Sequence, residues 1–476
     1  VEPFFDPDIS RESLVGGLAQ VGTAIKDEKQ KNPDGTMLLS AGDMASGSLI
    51  GDSTYGASVA AALKPMGFDV IGLGNHEFRW GTGHLKNILE QIDSPVVAAN
   101  VIQGQSGEVI DGAVPFVIKE VNGVQVGVIG LDTRKTEAQT PPELLGNVHF
   151  LDASETLHKY LPLMKAQGAE MLVVLSHLGL NGDERIARDF KDESLIIVGG
   201  HSHTILPAGQ KEENSFIVQA GAYSRHLGRL DINWDDSEKK ITGTRASLIP
   251  IVADQIQPDS EIQQVLQPYL DALSQQGGNE VMGTAAEDLF YTRSTGGKLN
   301  QIQADSMMEA SGTELAISPC MSIQRNLKKG PAEKKTLYDC MPYADWQTIS
   351  MKTKGSNIKA MLESGLRDGA RIQIPAGFKY SYDSSCKEQE RVKEITLPDG
   401  SPLKMDKEYS VAVPDFVAKN KIFQESTDRK TLGLNQQIFF EYFKSACPPG
   451  GWKNDPDDRI ACIGPKAGPA PSDGEL

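Results

Sequence analysis

The 476-residue chain has no apolar run near the roughly 18 residues that a membrane-spanning helix needs, so no helical span is expected. It is poor in basic charge. Against 47 lysines and arginines stand 64 aspartates and glutamates, a formal net charge of −17. That balance argues against a nucleic-acid-binding surface and suits a secreted enzyme. Cysteine is scarce: the five residues Cys320, Cys340, Cys386, Cys447 and Cys462 all sit in the second half. Cys447 and Cys462 flank a Pro/Gly/Asp-rich loop and either close a disulfide, in keeping with an oxidising compartment, or remain thiols. The opening Val1-Glu2-Pro3-Phe4-Phe5 contains neither an initiator methionine nor a signal peptide, and reads as a mature form or a fragment. The length exceeds one ordinary core and suggests two domains.

What the chain does have is a repeated design in its first half. Val70-Ile71-Gly72-Leu73-Gly74-Asn75-His76-Glu77-Phe78 is an apolar run emptying into polar residues, as a buried strand does when it leaves a sheet for a loop. Met37 to Leu39 runs out into Ser40-Ala41-Gly42-Asp43. Met171 to Leu175 runs out into Ser176-His177, and Leu195 to Val198 into Gly199-Gly200-His201-Ser202-His203. Strand carboxyl ends are where open α/β sheets keep their chemistry. A lone aspartate there is usually a helix cap or turn former, and a lone histidine is usually a satisfied core residue. Four such ends in one domain favour a site instead. A carboxylate, an amide oxygen and imidazoles form the ligand set of a divalent transition metal such as Zn, Mn or Fe.

Asp43 in Ala-Gly-Asp, the Gly-Asn-His-Glu-Phe string, Ser-His-Leu-Gly at 176 to 179 and Gly-His-Ser-His at 200 to 203 resemble the calcineurin-like two-metal phosphoesterases. Their order and spacing resemble in particular the secreted or periplasmic 5′-nucleotidase family, over nearly the whole chain. By that resemblance Asp43 would bridge two ions. Asn75, His177 and His201 would complete one site, and His203 would serve the other. His76 would contact the phosphate on the leaving-group side. In the family an aspartate three residues on orients that histidine, and here the position is Arg79, whose charge is expected to depress the imidazole's proton affinity. The family's first strand ends in Asp-x-His, which supplies two further ligands. No Asp-x-His occurs here, and the chain reads as starting just after it.

A helix is expected from Ser13 through Ile25, a second near Tyr55 to Leu63, and others near 153 to 167 and 182 to 191. Strands are expected near 95 to 99, 114 to 120 and 124 to 131, the last two joined by a hairpin turn at Asn122-Gly123. Together these describe an α/β chain. A layered α/β/β/α metallophosphoesterase domain would span 1–253, followed by a linker helix over 254–278. A smaller α+β substrate domain would span 279–463, and 464–476 would be a disordered tail. The substrate domain departs from the family. In place of its Asn-x-Gly-Gly-x-Arg phosphate loop stands Pro319 to Arg325, and one aromatic position falls near Arg371 and Ile372. The other ring would be Phe423. Arg79, Arg325 and Phe423 are therefore the expected substrate contacts.

The resemblance implies a metal-dependent hydrolase of phosphate esters, outside the cytoplasm, acting on a nucleotide or another small phosphate ester. Its cofactors would be divalent ions such as Zn or Mn, with no nucleic-acid partner. The alternative is a degenerate family member that binds metal or ligand without efficient catalysis.

Overall fold

The structure is a computed structural model that describes residues 1–104, 107–292, 296–342, 345–366, 372–455 and 458–464. Arg371 and all but the first residue of the 464–476 tail fall outside the described residues. The described residues form two compact units, Val1–Phe4 with Asp8–Ala272, and Phe5–Pro7 with those from Leu273 to Gly464. The division falls inside the helix Ser260–Gln275.

The first unit holds two sheets that matter for function. Leu39–Ser40, Val70–Gly72 and Val96–Val97 pair in parallel in that order. A six-stranded sheet runs in the order Gln210–Glu212, Ser215–Val218, Leu195–Gly199, Met171–His177, Val124–Asp132 and Phe116–Val121. Its four central strands are parallel and its two edge strands antiparallel. Phe116–Val121 and Val124–Asp132 form the hairpin expected about Asn122-Gly123.

The near-continuous apolar runs follow from burial on both faces of these strands. Successive side chains point to opposite sides. Val70, Val128, Val173, Leu175 and Ile196 meet in one core between the sheets. Ile129, Leu172, Val174, Leu195 and Ile197 face outward onto Leu157 and Leu161 of helix Ala153–Ala166 and Ile186 of helix Leu180–Asp189. On the other side, Ile71 packs with Val59 and Leu63 of Ala57–Met66, Leu85 of Thr82–Leu89 and Ile25 of Leu18–Lys31. These layers are the α/β/β/α arrangement. The first helix starts at Leu18, five residues after the expected start, because Phe4 and Val15 pair as a bridge before it.

The second unit is α+β. Its five-stranded sheet has the order Gln373–Ala376, Leu315–Pro319, Glu408–Pro414, Gln347–Lys354 and Thr427–Leu434, with helices Lys298–Ser311, Gly355–Gly365 and Asn435–Ser445. All five cysteines are free thiols. The Cys447–Cys462 disulfide is not formed: Cys447 Sγ lies 3.8 Å from Thr284 O, whereas Cys462 ends the strand Ile460–Cys462 with its Sγ 3.5 Å from Gly464 O.

The two sheets that carry these strand ends meet backbone to backbone at Gly130. A Cβ there would stand 2.0 Å from Val97 O and 2.4 Å from Val97 C, and Ala99 N–H donates to Gly130 O at 2.8 Å. Since neither backbone can step aside, Gly130→Ala is expected to destabilise the fold by about 3 kcal/mol or more, at the top of the range for overpacking. Urea denaturation checks this; an unchanged midpoint would show that the sheets separate more easily than their packing indicates.

Candidate metal centre

Asp43, Asn75, His76, His177, His201 and His203 all lie at or just beyond strand ends at one edge of the first unit, where the sequence places them. The site is tight. Gly74 has a Cβ position 2.4 Å from Asp43 Oδ1 and 2.7 Å from His177 Nε2, so only a glycine passes between the acid and the imidazole. Asp43, His201 and His203 hold left-handed backbone, with φ of 57°, 66° and 53°. Such conformations are uncommon outside glycine, cost of order 1–3 kcal/mol each and cluster at functional sites.

His177 is 1% exposed. Its Nδ1 lies 2.6 Å from Ala41 O, a contact that needs the Nδ1 proton, so that Nε2 is a lone pair whenever the ring is neutral. That Nε2 faces Asp43 Oδ2 at 2.9 Å, and no hydrogen-bond geometry joins them. His201 repeats the scheme: Nδ1 sits 3.0 Å from Asn75 Oδ1, and the buried Nε2 has no hydrogen-bond partner. The two rings stand 5.1 Å apart at 63°. Asp43, His177 and His201 have donor atoms within 4.8 Å of one another, close enough for all three to hold one ion. Two buried imidazole lone pairs converging on a carboxylate fit a Zn- or Mn-type ion, each ring being oriented through its other nitrogen.

Charge supports the fit. Burial works against protonated His177, but the Asp43 carboxylate outweighs it and raises the imidazole to about 10. Asp43 is held below its ordinary range: burial opposes this, and the positive charges of His177 and His76 overcome it. His201 is lowered to about 3, by burial and then by the charge of His177, and so stays neutral as a ligand must. Without an ion, the pair His177–Asp43 keeps a proton where an ion would sit.

His76 is also lowered, by burial first, with Asp43 pulling the other way and Arg79, His177 and His203 adding to the fall. The expected effect of Arg79 is thus present but secondary. Arg79 itself lies 3.8 Å from Asp52. His203 packs edge-on against Tyr223, with 5.3 Å between ring centroids, and stands outside the three-residue group.

Two acids of this site are given no role by the sequence reading, although Glu77 lies inside the Gly-Asn-His-Glu-Phe string. Glu77 is 5% exposed and accepts N–H donors from Asp43 and Gly74 at 2.8 Å, Met44 at 2.7 Å and Ala45 at 3.3 Å. It ties together the two loops that carry Asp43 and Asn75-His76. Asp132 is 1% exposed, lies in register with His177 on the neighbouring strand and leaves Oδ2 without a hydrogen-bond partner. Burial pushes its carboxyl well above the usual range. Val126 to Leu131 emptying into Asp132 is the same signal that marks the other four ends.

The substrate-domain expectations need correction. Phe423 is 0% exposed, enclosed in the core of the second unit, and offers no ring face to a ligand. Arg325 is 6% exposed and pairs with Asp339 at 3.0 Å, turned into the domain because a buried guanidinium needs an acid. Ile372, at the other expected ring position, is likewise buried.

Residues 14–204 match the calcineurin-like phosphoesterase family, and residues 281–425 match the 5′-nucleotidase C-terminal domain. The fold of the first unit is that of a metallophosphoesterase. With its second domain, the chain belongs to the 5′-nucleotidase family of calcineurin-like phosphoesterases. The endonuclease YhcR of Bacillus subtilis is 27% identical over 431 residues, 84% of this chain and 34% of that protein. The chain therefore spans about a third of that relative. A snake venom 5′-nucleotidase of Naja atra is 27% identical over 489 residues, 91% of each chain. The crystal structure of a 5′-nucleotidase precursor from Thermus thermophilus shares the fold, with a TM-score of 0.81, 24% identity and 97% of each chain covered.

Because the metal-free pair His177–Asp43 holds a proton up to a pH of about 10, loading an ion must displace it. Below that pH, affinity for Mn or Zn is expected to rise about tenfold per pH unit, the slope of one proton released. Isothermal titration between pH 6.5 and 8.5 measures it, with buffers of different ionisation enthalpy to count protons. A flat profile would mean that the pair holds no proton.

Proposed function

We propose that the chain is a metal-dependent phosphoester hydrolase whose centre is Asp43, His177 and His201 with Asn75 beside them. The observation that carries this reading is the convergence of two buried Nε2 atoms, neither with a hydrogen-bond partner, on Asp43 within 4.8 Å, at the strand ends of a phosphoesterase fold. A divalent ion held there supplies a Lewis acid that neutralises phosphate charge and acidifies water.

The protein's own groups do the rest. Asp43 contributes an anionic oxygen, and Ala41 O and Asn75 Oδ1 keep the two imidazoles turned so that Nε2 faces inward. His76 has its backbone fixed by donating N–H to Asp43 Oδ1 at 2.8 Å. Kept neutral, its imidazole can donate one N–H to a phosphoryl oxygen without repelling a neighbouring ion. Arg79, at the end of the same turn, offers a fixed positive charge for the phosphate. His203, beside this group, is assigned to a second ion shared with Asp43.

The substrate class is a small phosphate monoester, with nucleotides among the candidates because of the 5′-nucleotidase relatives. An extracytoplasmic location belongs to the same reading, supported by the snake venom relative. Preference for a base should be modest, since Phe423, Arg325 and Ile372 all serve the interior of the second unit. A lost stacking face forfeits about 1–3 kcal/mol per base.

His177→Ala and His201→Ala are expected to lose firm metal binding and hydrolysis together, by at least about a hundredfold. His84→Ala and His158→Ala, away from the donor group, should keep both. Elemental analysis and hydrolysis of an aryl phosphate with added Mn, Zn, Co or Mg test this. Metal bound by the wild type without turnover on any phosphate ester would favour the binding-protein alternative.

For substrate choice, kcat/KM for AMP over that for an aryl phosphate is expected below about a thousand. A larger ratio, above about 4 kcal/mol of differential transition-state binding, would mean that a nucleotide site is built from residues other than these.

A further inference from the structure

Behind the histidines lies a buried polar cluster that metal ligation does not use. Asp183, on helix Leu180–Asp189, is 0% exposed and Gln219 is 3% exposed. Asp183 Oδ1 accepts the hydroxyl of Ser176, the residue before His177. Gln219 Oε1 accepts Ser202 Oγ–H at 3.0 Å and Thr204 N–H at 2.6 Å, and these two residues flank His203. Ser202 Oγ, between His201 and His203, in turn accepts Leu180 N–H at 3.0 Å.

One atom of each side chain remains unmatched: Asp183 Oδ2 and Gln219 Nε2 are both buried without a hydrogen-bond partner. They converge on a single place. The position that a Cβ on Gly199 would occupy is 2.3 Å from Asp183 Oδ2 and 2.9 Å from Gln219 Nε2. One is an acceptor and the other a donor, and the missing side chain of Gly199 leaves the space between them open. Buried polar atoms are matched in the great majority of cases, directly or through an ordered water.

We propose that Asp183 and Gln219 form an acid–amide bracket across Gly199 that positions His177, His201 and His203 for metal binding. Its two ends hold the residues adjoining the two histidine loops, which leave parallel neighbouring strands in register from Leu195↔Leu172 to Gly199↔Ser176. On this proposal the spacing of the two Nε2 atoms depends on Asp183 and Gln219 facing each other across Gly199, an arrangement in which neither histidine takes part. Both are positioning residues, and the proposal rests on the reading of these histidines as ligands. Partners behind metal ligands of this kind typically change affinity by about 10–100-fold.

The pair can be tested by exchange. Asp183→Asn sets two amide groups against each other and Gln219→Glu sets two carboxylates against each other, whereas the double variant restores one acid facing one amide with the partners reversed. Titration calorimetry with Mn and with Zn, on variants shown by circular dichroism to be folded, reads the affinity directly. Each single variant is expected to bind at least about tenfold more weakly, and the double variant to return to within about threefold of the wild type. Should a single variant not fold, Ser202→Ala cuts the link to the His201–His203 loop without adding charge, and the same loss of affinity is expected. Variants that melt earlier yet bind metal as tightly as the wild type, or a double variant no better than the weaker single one, would overturn the bracket alone. A wild type that binds neither ion would overturn the metal centre and the bracket together.

Discussion

The centre depends on one carboxylate that stands outside its donor group. Glu77 gathers amides from residues 43, 44, 45 and 74 around two oxygens inside the protein. Burial, then the nearby Asp43, raises its pKa to about 7, while the amide donors pull it back. Hydrogen bonds to a charged group contribute about 1.5–3 kcal/mol each, and orphaned amides would cost a comparable amount. Several of them outweigh the roughly 1–3 kcal/mol that the left-handed Asp43 costs. These bonds hold the left-handed turn at Asp43, whose Oδ2 lies 2.9 Å from His177 Nε2.

Positive backbone angles at Asp43, His201 and His203 describe a site whose geometry is set before any ion arrives. A catalytic centre gains from such rigidity, since ligands held at the right spacing need no reorganisation during the reaction. The same rigidity is visible in the imidazoles, each fixed at Nδ1 by a backbone or amide oxygen. Asp132 stands apart from this scheme. It is a buried acid beside His177 with an oxygen left over, and when ionised it adds negative charge to a place already arranged to attract a cation.

Most of this is readable in the amino-acid order because the strands are buried on both faces, so their apolar runs are long and their polar ends abrupt. Asp43, Asn75, His177, His201 and His203 stand out that way, and Asp132 carries the same mark. The linking role of Glu77 cannot be read, because Asp43 and Met44 lie 34 and 33 residues away in the chain and only the fold sets the two loops side by side. Phe423 and Arg325 mislead for a related reason. An aromatic ring or a guanidinium in a loop-like stretch gives no sign of which way it faces, and here the fold turns both inward. The cysteines add a further case: Cys447 and Cys462 flank a loop that could be closed by a disulfide, yet one lies near Thr284 and the other lies in a strand beside Tyr382.

The parallel pairing of the strands carrying the site also governs when it can exist. The side chains that meet there come from residues 43, 75, 177 and 201, and neighbouring parallel strands cannot pair until the chain between them has folded over as a crossover. Gln219, which braces the last loop, is later still. During synthesis the growing chain therefore carries Asp43 and His76 long before the strands that end at His177 and Gly199 have formed to face them. Contacts of such long range form slowly, so the carboxylate and the two imidazoles come together only as the sheets of the first unit are completed.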